Sequence, residues 1–67
     1  MVAGSRVIAK GHRIRDVRRL VATYGGVSSR WVKKSSPQFE IDGHEYEYLW
    51  YEHPGMGNAE VKRKEVT

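Results

Sequence analysis

The chain has 67 residues, with 12 Lys and Arg against 8 Asp and Glu, a net charge of +4 and no cysteine. That length allows one domain at most, burying about 60% of its unfolded surface, with a core contribution of ~3–5 kcal/mol. Disulfide frames and thiolate metal sites are excluded, and no apolar run approaches the ~20 residues of a membrane span or forms a signal-peptide core.

The charge is divided by position. Residues 1–36 carry nine Lys or Arg against one acid, and residues 37–67 carry three against seven. A small domain with one cationic side is suited to holding polyphosphate. The opening Met1-Val2-Ala3-Gly4-Ser5 reads as a cut point. Residues 1–67 are therefore expected to form a single small domain excised from a longer chain, with an ordered core over about residues 10–66.

In chain order, Val7–Ala9 can form an extra edge strand. Ile14, Val17, Val21 and Tyr24 then fall at helical spacing, with Leu20 beside them and arginines on the other faces. The spacing predicts a helix over Arg13–Tyr24, stopped by Gly25-Gly26. A polar connector follows from Ser28 to Pro37, anchored by Trp31 and Val32. Three strands come next: Gln38–Ile41, Glu45–Glu52 and Ala59–Val66. Asp42-Gly43 joins the first pair as a two-residue hairpin, and His53–Asn58 turns between the second pair. The expected fold class is α+β, an N-terminal helix followed by a three- to four-stranded antiparallel β-meander.

Registering the second hairpin without interruption sets Glu47 against Lys64, Leu49 against Lys62, Trp50 against Val61 and Tyr51 against Glu60. The face with Tyr46, Tyr48, Trp50 and Val61 is then expected to pack on the helix. The other face is polar except for Leu49, which breaks its pattern. A one-residue slip would exchange the two faces.

Metal chemistry finds little support. His44-Glu45 begins a zinc-protease pattern, but the second His it requires is replaced by Tyr48. Glu60-Val61-Lys62 has the acid-x-Lys form of magnesium nucleases. Its partner acid, Asp42, would lie about nine residues away along the strand, or roughly 30 Å. No metal and no cofactor are expected.

The cationic residues support either a phosphate-binding surface or an ordinary solvated one. Arg13 and Arg15, with Lys33 and Lys34 in the connector, are expected to share one contiguous positive surface. Ser35 and Ser36 add hydroxyls beside them. His12, between Gly11 and Arg13, is a candidate proton carrier or a capping residue. Tyr46, Tyr48 and Trp50 read as core; Tyr51, on the polar face, is more open to a functional role.

Tyr24-Gly25-Gly26, Trp31-Val32-Lys33-Lys34-Ser35-Ser36, Tyr46-Glu47, Trp50-Tyr51-Glu52, Glu60 and Lys62 follow the Gly11–Asp16 entry in a familiar order. From Lys10 to Glu65 the chain resembles the C-terminal toxin domains of bacterial polymorphic toxins of the Rhs and contact-dependent-inhibition kind. Such domains often belong to the barnase, EndoU, colicin and RelE group of small ribonucleases. The resemblance implies a metal-independent ribonuclease, with tRNA a candidate target, delivered by contact into a target bacterium and acting in its cytoplasm. It also implies a cognate immunity protein, expected to be acidic and laid on the cationic face. Where relatives have His-Trp-Tyr-Glu, this chain has Leu49-Trp50-Tyr51-Glu52, as an inactivating change would leave it.

On this reading His12, Lys33, Ser35, Tyr51 and the residue at position 49 carry catalysis, with Glu47 a further candidate for proton transfer. Arg13, Arg15, Lys34, Ser36 and Lys62 bind RNA. Two alternatives use the same surfaces: a non-catalytic nucleic-acid-binding module and a protein-interaction domain.

Overall fold

In the computed structural model, which describes residues 4–66, a five-stranded antiparallel sheet carries a single α-helix. The strands are β1 (Arg6–Lys10), β2 (Val32–Ser35), β3 (Phe39–Ile41), β4 (His44–His53) and β5 (Gly57–Glu65), and the helix α1 spans Val17–Tyr24. The fold class is α+β as expected. The edge strand expected at Val7–Ala9 is present as β1, and two details differ: this strand precedes the helix, and there are five strands. Met1, Val2 and Ala3 of the supposed cut point lie outside the described residues.

β4 is the spine of the sheet. Its run of Tyr46, Tyr48, Trp50 and Tyr51 favours the extended chain, and it pairs along both edges. β5 takes one edge. β2 and β3 lie end to end along the other, with β1 outside β2. Asp42 and Gly43 have φ of 51° and 82°, the pair of left-handed residues that a tight hairpin of this twist requires. The polar connector thus becomes a 3₁₀ turn, Ser28–Arg30, followed by strand β2. Its hydrophilic side chains hide the strand because only every second one faces the core.

The helix is shorter than its periodicity suggests. Gly11–Arg13 forms a 3₁₀ turn, and Ile14 leaves it in an extended conformation before α1 begins after Asp16. Ile14, Val17 and Leu20 are nevertheless buried together with Trp31, and Ala9, Val21, Tyr51 and Ala59 pack around them.

That cluster reverses one expectation. Side chains alternate along β4, so the face packed on the helix is the one bearing Leu49, Tyr51 and His53, not the one bearing Tyr46, Tyr48 and Trp50. The small side chains of Ala9 and Ala59 let the helix close on that face. The rings on the other face pack on one another, with Phe39 stacked on Tyr48 at 5.2 Å between centroids and Arg63 4.8 Å from the Tyr46 ring. Trp50, 1% exposed, is buried on that side and donates from Nε1 to Glu52 at 3.2 Å.

Trp31 and His53 fasten the helix end to the sheet. Trp31 is fully buried and its Nε1 donates to the Gly25 carbonyl at 3.1 Å. Its ring meets His53 edge-on at 5.2 Å. The His53 ring nitrogens face the N–H groups of Val27, at 3.1 Å, and Gly55, at 3.0 Å. A neutral imidazole has one acceptor nitrogen, so it satisfies one of these donors at a time. Gly26 lies against the same ring: a Cβ there would sit 2.6 Å from Nε2, and its φ of 82° is strained for any other residue. We therefore expect Gly26→Ala to destabilise the fold by about 1–3 kcal/mol. For a domain of this size that is a fall in Tm of roughly 5–20 °C in thermal unfolding monitored by circular dichroism.

Candidate functional site

The helix covers one end of its sheet face and leaves the rest open. On that open part, the strand register sets Lys33 opposite Tyr51, Ser35 opposite Leu49, and Leu49 opposite Lys62. Directly opposed residues point to the same face, with Cβ atoms about 4.5–5.5 Å apart. Lys33, Leu49, Tyr51, Glu60 and Lys62 line a small cavity of about 80 Å³ on this face. Beside it, Arg6 and Glu47 line a second depression of about 310 Å³. Leu49 is half-buried, absent from the apolar cluster under the helix, and flanked along its own strand by Glu47 and Tyr51. Lys33, Ser35, Leu49, Tyr51 and Lys62 are thus brought together.

Each side chain has a defined electrostatic setting. The Lys33 ammonium lies 5.8 Å from the centre of the Tyr51 ring, within cation–π range. Burial pushes the Tyr51 phenol above its ordinary value, with Asp16 adding to the shift and Arg19 opposing it. The phenol therefore keeps its proton near neutrality and can act as an acid rather than a base. Ser35 is 1% exposed, and its hydroxyl accepts from Arg6 Nε at 3.1 Å. It lies under Arg6, whose guanidinium it helps to orient. Arg6 is the site residue that sequence reasoning missed. The expected edge strand at Val7–Ala9, which Arg6 immediately precedes, was the available signal.

Glu60 forms one wall of the cavity and is held from the helix. Arg19 donates to its two carboxylate oxygens at 2.7 and 2.8 Å, and the Tyr24 hydroxyl donates at 3.0 Å. Glu60 has φ of 55°, uncommon for a residue with a side chain. It sits in a β-bulge where Glu60 and Val61 together face Trp50, so Tyr51 opposes Ala59 rather than Glu60. The uninterrupted register thus holds from Tyr46 to Leu49 and fails beyond, because one extra residue enters β5. The Arg19 contact, helped by Tyr24, pulls the Glu60 carboxyl down to about 2. A carboxylate so held is a poor base near neutral pH, and the acid-x-Lys pattern is spent on fastening helix to sheet.

The remaining candidates do not line the cavity around Leu49, although Ser36 borders the depression that Arg6 and Glu47 line. His12 and Arg13 are exposed on the first 3₁₀ turn, Arg15 is exposed just after it, and none of them lines the cavity. Lys34 does not join Lys33 on one surface. Neighbouring strand residues point to opposite faces, and Lys34 pairs with Glu52 at 2.9 Å on the far side. That pairing, with the Trp50 donation, lowers the Glu52 carboxyl. Ser36 is buried: its hydroxyl accepts from Tyr48 N–H and donates to the Pro37 carbonyl, both at 2.9 Å. It fills the irregularity where Ser36, Pro37 and Gln38 face only Glu47 and Tyr48, since Pro37 has no N–H to give. Among the described residues, no three His, Asp or Glu side chains are grouped as metal ligands. No family model matches the chain, and neither a curated protein nor a solved structure matches it.

The Glu60 clamp has a pH signature. Its folded value lies below the ordinary 4.5, so the folded state binds this proton more weakly than the unfolded chain does. The resulting stability is fully present above about 4.5 and is lost as pH falls through that value towards about 2. Urea unfolding at pH 7 and pH 3 is expected to show a smaller loss of stability in Glu60→Gln than in the parent chain. Equal losses in the two proteins would show that the clamp does not carry the effect.

Proposed function

We propose that this chain is a metal-independent ribonuclease toxin domain disarmed at position 49. The observation that carries the reading is the setting of Leu49: an apolar side chain at the centre of a cationic face, between Ser35 and Lys62 and flanked by Glu47 and Tyr51. Core packing does not account for it, since the buried apolar cluster lies under the helix and does not include it.

RNA cleavage without a metal needs a base for the ribose 2′-hydroxyl, an acid for the departing 5′-oxygen, and cations for the phosphorane charge. Lys33, Lys62 and Arg6 surround the place where such charge would develop. Tyr51 retains a proton that it can donate. A histidine at position 49 would stand between them as the base. Leucine transfers no proton, so the native chain binds substrate on this face and turns it over weakly or not at all. In this role the domain serves interbacterial competition, entering a target cell by contact, with a cognate immunity protein covering the same cationic face in the cell that makes it.

Leu49 also favours the second reading, a nucleic-acid-binding module that cuts nothing in any form. The two part on one substitution. Leu49→His is expected to raise cleavage of total tRNA by ~100-fold or more in the presence of EDTA, the scale of a positioned acid or base. The readout is appearance of cleaved RNA on denaturing gels, with folding checked by circular dichroism. A folded Leu49→His protein that binds RNA and leaves it intact would select the binding module.

A further inference from the structure

A concavity of about 780 Å³ lies apart from the cavity around Leu49. Val7 and Val32 give it an apolar lining, and Lys10, Arg30 and Lys34 line it as well. One carboxylate, Glu52, lies within it and is neutralised by Lys34 at 2.9 Å. Lys10 and Arg30 are exposed and have no ion-pair partner among the described residues. The basin therefore has an excess of two cations, which suits it to the phosphates of a nucleic-acid backbone.

A bulge in the edge strand links this basin to the site face. Arg6 pairs with Ser35 and Val7 with Lys34, but Ala9 pairs with Lys33 and Lys10 with Val32. Ile8 is the extra residue. In a regular strand Arg6 and Lys10, four positions apart, would share a face. With Ile8 inserted, Arg6 lies on the Leu49 face and Lys10 on the basin face. Because β1 is the outer strand of the sheet, the two faces meet at this edge. Cations thus run from Lys62 and Lys33 to Arg6, round the edge, and on to Lys10 and Arg30.

We propose that the basin is a second phosphate-binding subsite, which holds a single strand of nucleic acid after it has passed from the Leu49 face round strand β1. The proposal rests on the ribonuclease reading for the first half of the path. Nucleic acid fits better than an acidic protein, because the cations are spaced along a track rather than gathered in one patch.

The test measures binding only, with the native Leu49 chain, by fluorescence anisotropy of a labelled long single-stranded RNA and of a labelled trinucleotide across a salt series. Lys10→Glu with Arg30→Glu is expected to weaken the long RNA about tenfold or more, to reduce the salt slope by about 1.4, and to leave the trinucleotide unchanged. Lys33→Glu with Lys62→Glu is expected to weaken both ligands. Long RNA that responds to the Lys33 and Lys62 pair but not to the Lys10 and Arg30 pair would overturn the second subsite and leave the ribonuclease reading standing. RNA that responds only to the Lys10 and Arg30 pair would overturn the path and the reading beneath it. Absence of RNA binding at low salt would overturn both and favour an acidic protein as the occupant. Lys10→Gln with Arg30→Gln, which removes charge without reversing it, is the control should the reversed pair fold poorly, and it is expected to change the same readout in the same direction.

Discussion

Trp31 is the contact on which the arrangement of the two layers depends. It follows a 3₁₀ turn and precedes β2, so its ring enters the space between helix and sheet at the point where the chain passes from one to the other. Its indole N–H holds the carbonyl at the end of α1 while its faces meet Tyr24 and His53. His53 in turn faces backbone donors from the loop after the helix and from the β4–β5 turn. Few other residues in so short a chain can bury as much area, and the loss of a fully buried Trp typically costs about 3–5 kcal/mol. The helix therefore docks at one end of the sheet, over Tyr51 and Ala59, and the opposite end of that face stays open.

The open area is where the chemistry gathers. Three neighbouring strands each place alternate residues on it, and their register sets Lys33, Leu49 and Lys62 within reach of one another although they are far apart in sequence. Two bulges shape the region. The one at Glu60 shifts the pairing of β5 and allows a carboxylate to be gripped by Arg19 and Tyr24. The one at Ile8 turns Lys10 away from the face that Arg6 occupies. Bulges of this kind re-aim side chains without altering the strand order.

The same alternation explains why the cationic half of the sequence does not form a single patch. Lys33 and Lys34 are adjacent, and a loop could have presented both to one ligand. As members of β2 they are separated by the sheet, and Lys34 is paired with Glu52 from the acidic half. Arg19 and Glu60 are joined in the same way across the division of charge. Part of the apparent excess is therefore consumed in holding the two halves together, and what remains is divided between the helical region, at Arg13, Arg15 and Arg18, and the sheet.

Much of the fold was legible in the residues. Asp42-Gly43 specified its hairpin because few other pairs adopt two successive left-handed conformations, and the aromatic run specified β4 through its preference for extended backbone. Ile14, Val17 and Leu20 marked the buried side of the helical region. The polar strand β2 was not legible, since its stability comes from pairing on both edges rather than from its own side chains. Leu49 was conspicuous in sequence as an apolar residue among polar ones, and Arg6 was not, because its place depends on a strand partner 29 residues away. Local backbone preference and periodicity thus determined the Asp42-Gly43 turn, strand β4 and the buried side of the helical region. Which face the helix covered, and which cations were left beside Leu49, was decided by the tertiary structure, because bulges, strand register and the seating of Trp31 arise only when distant segments meet.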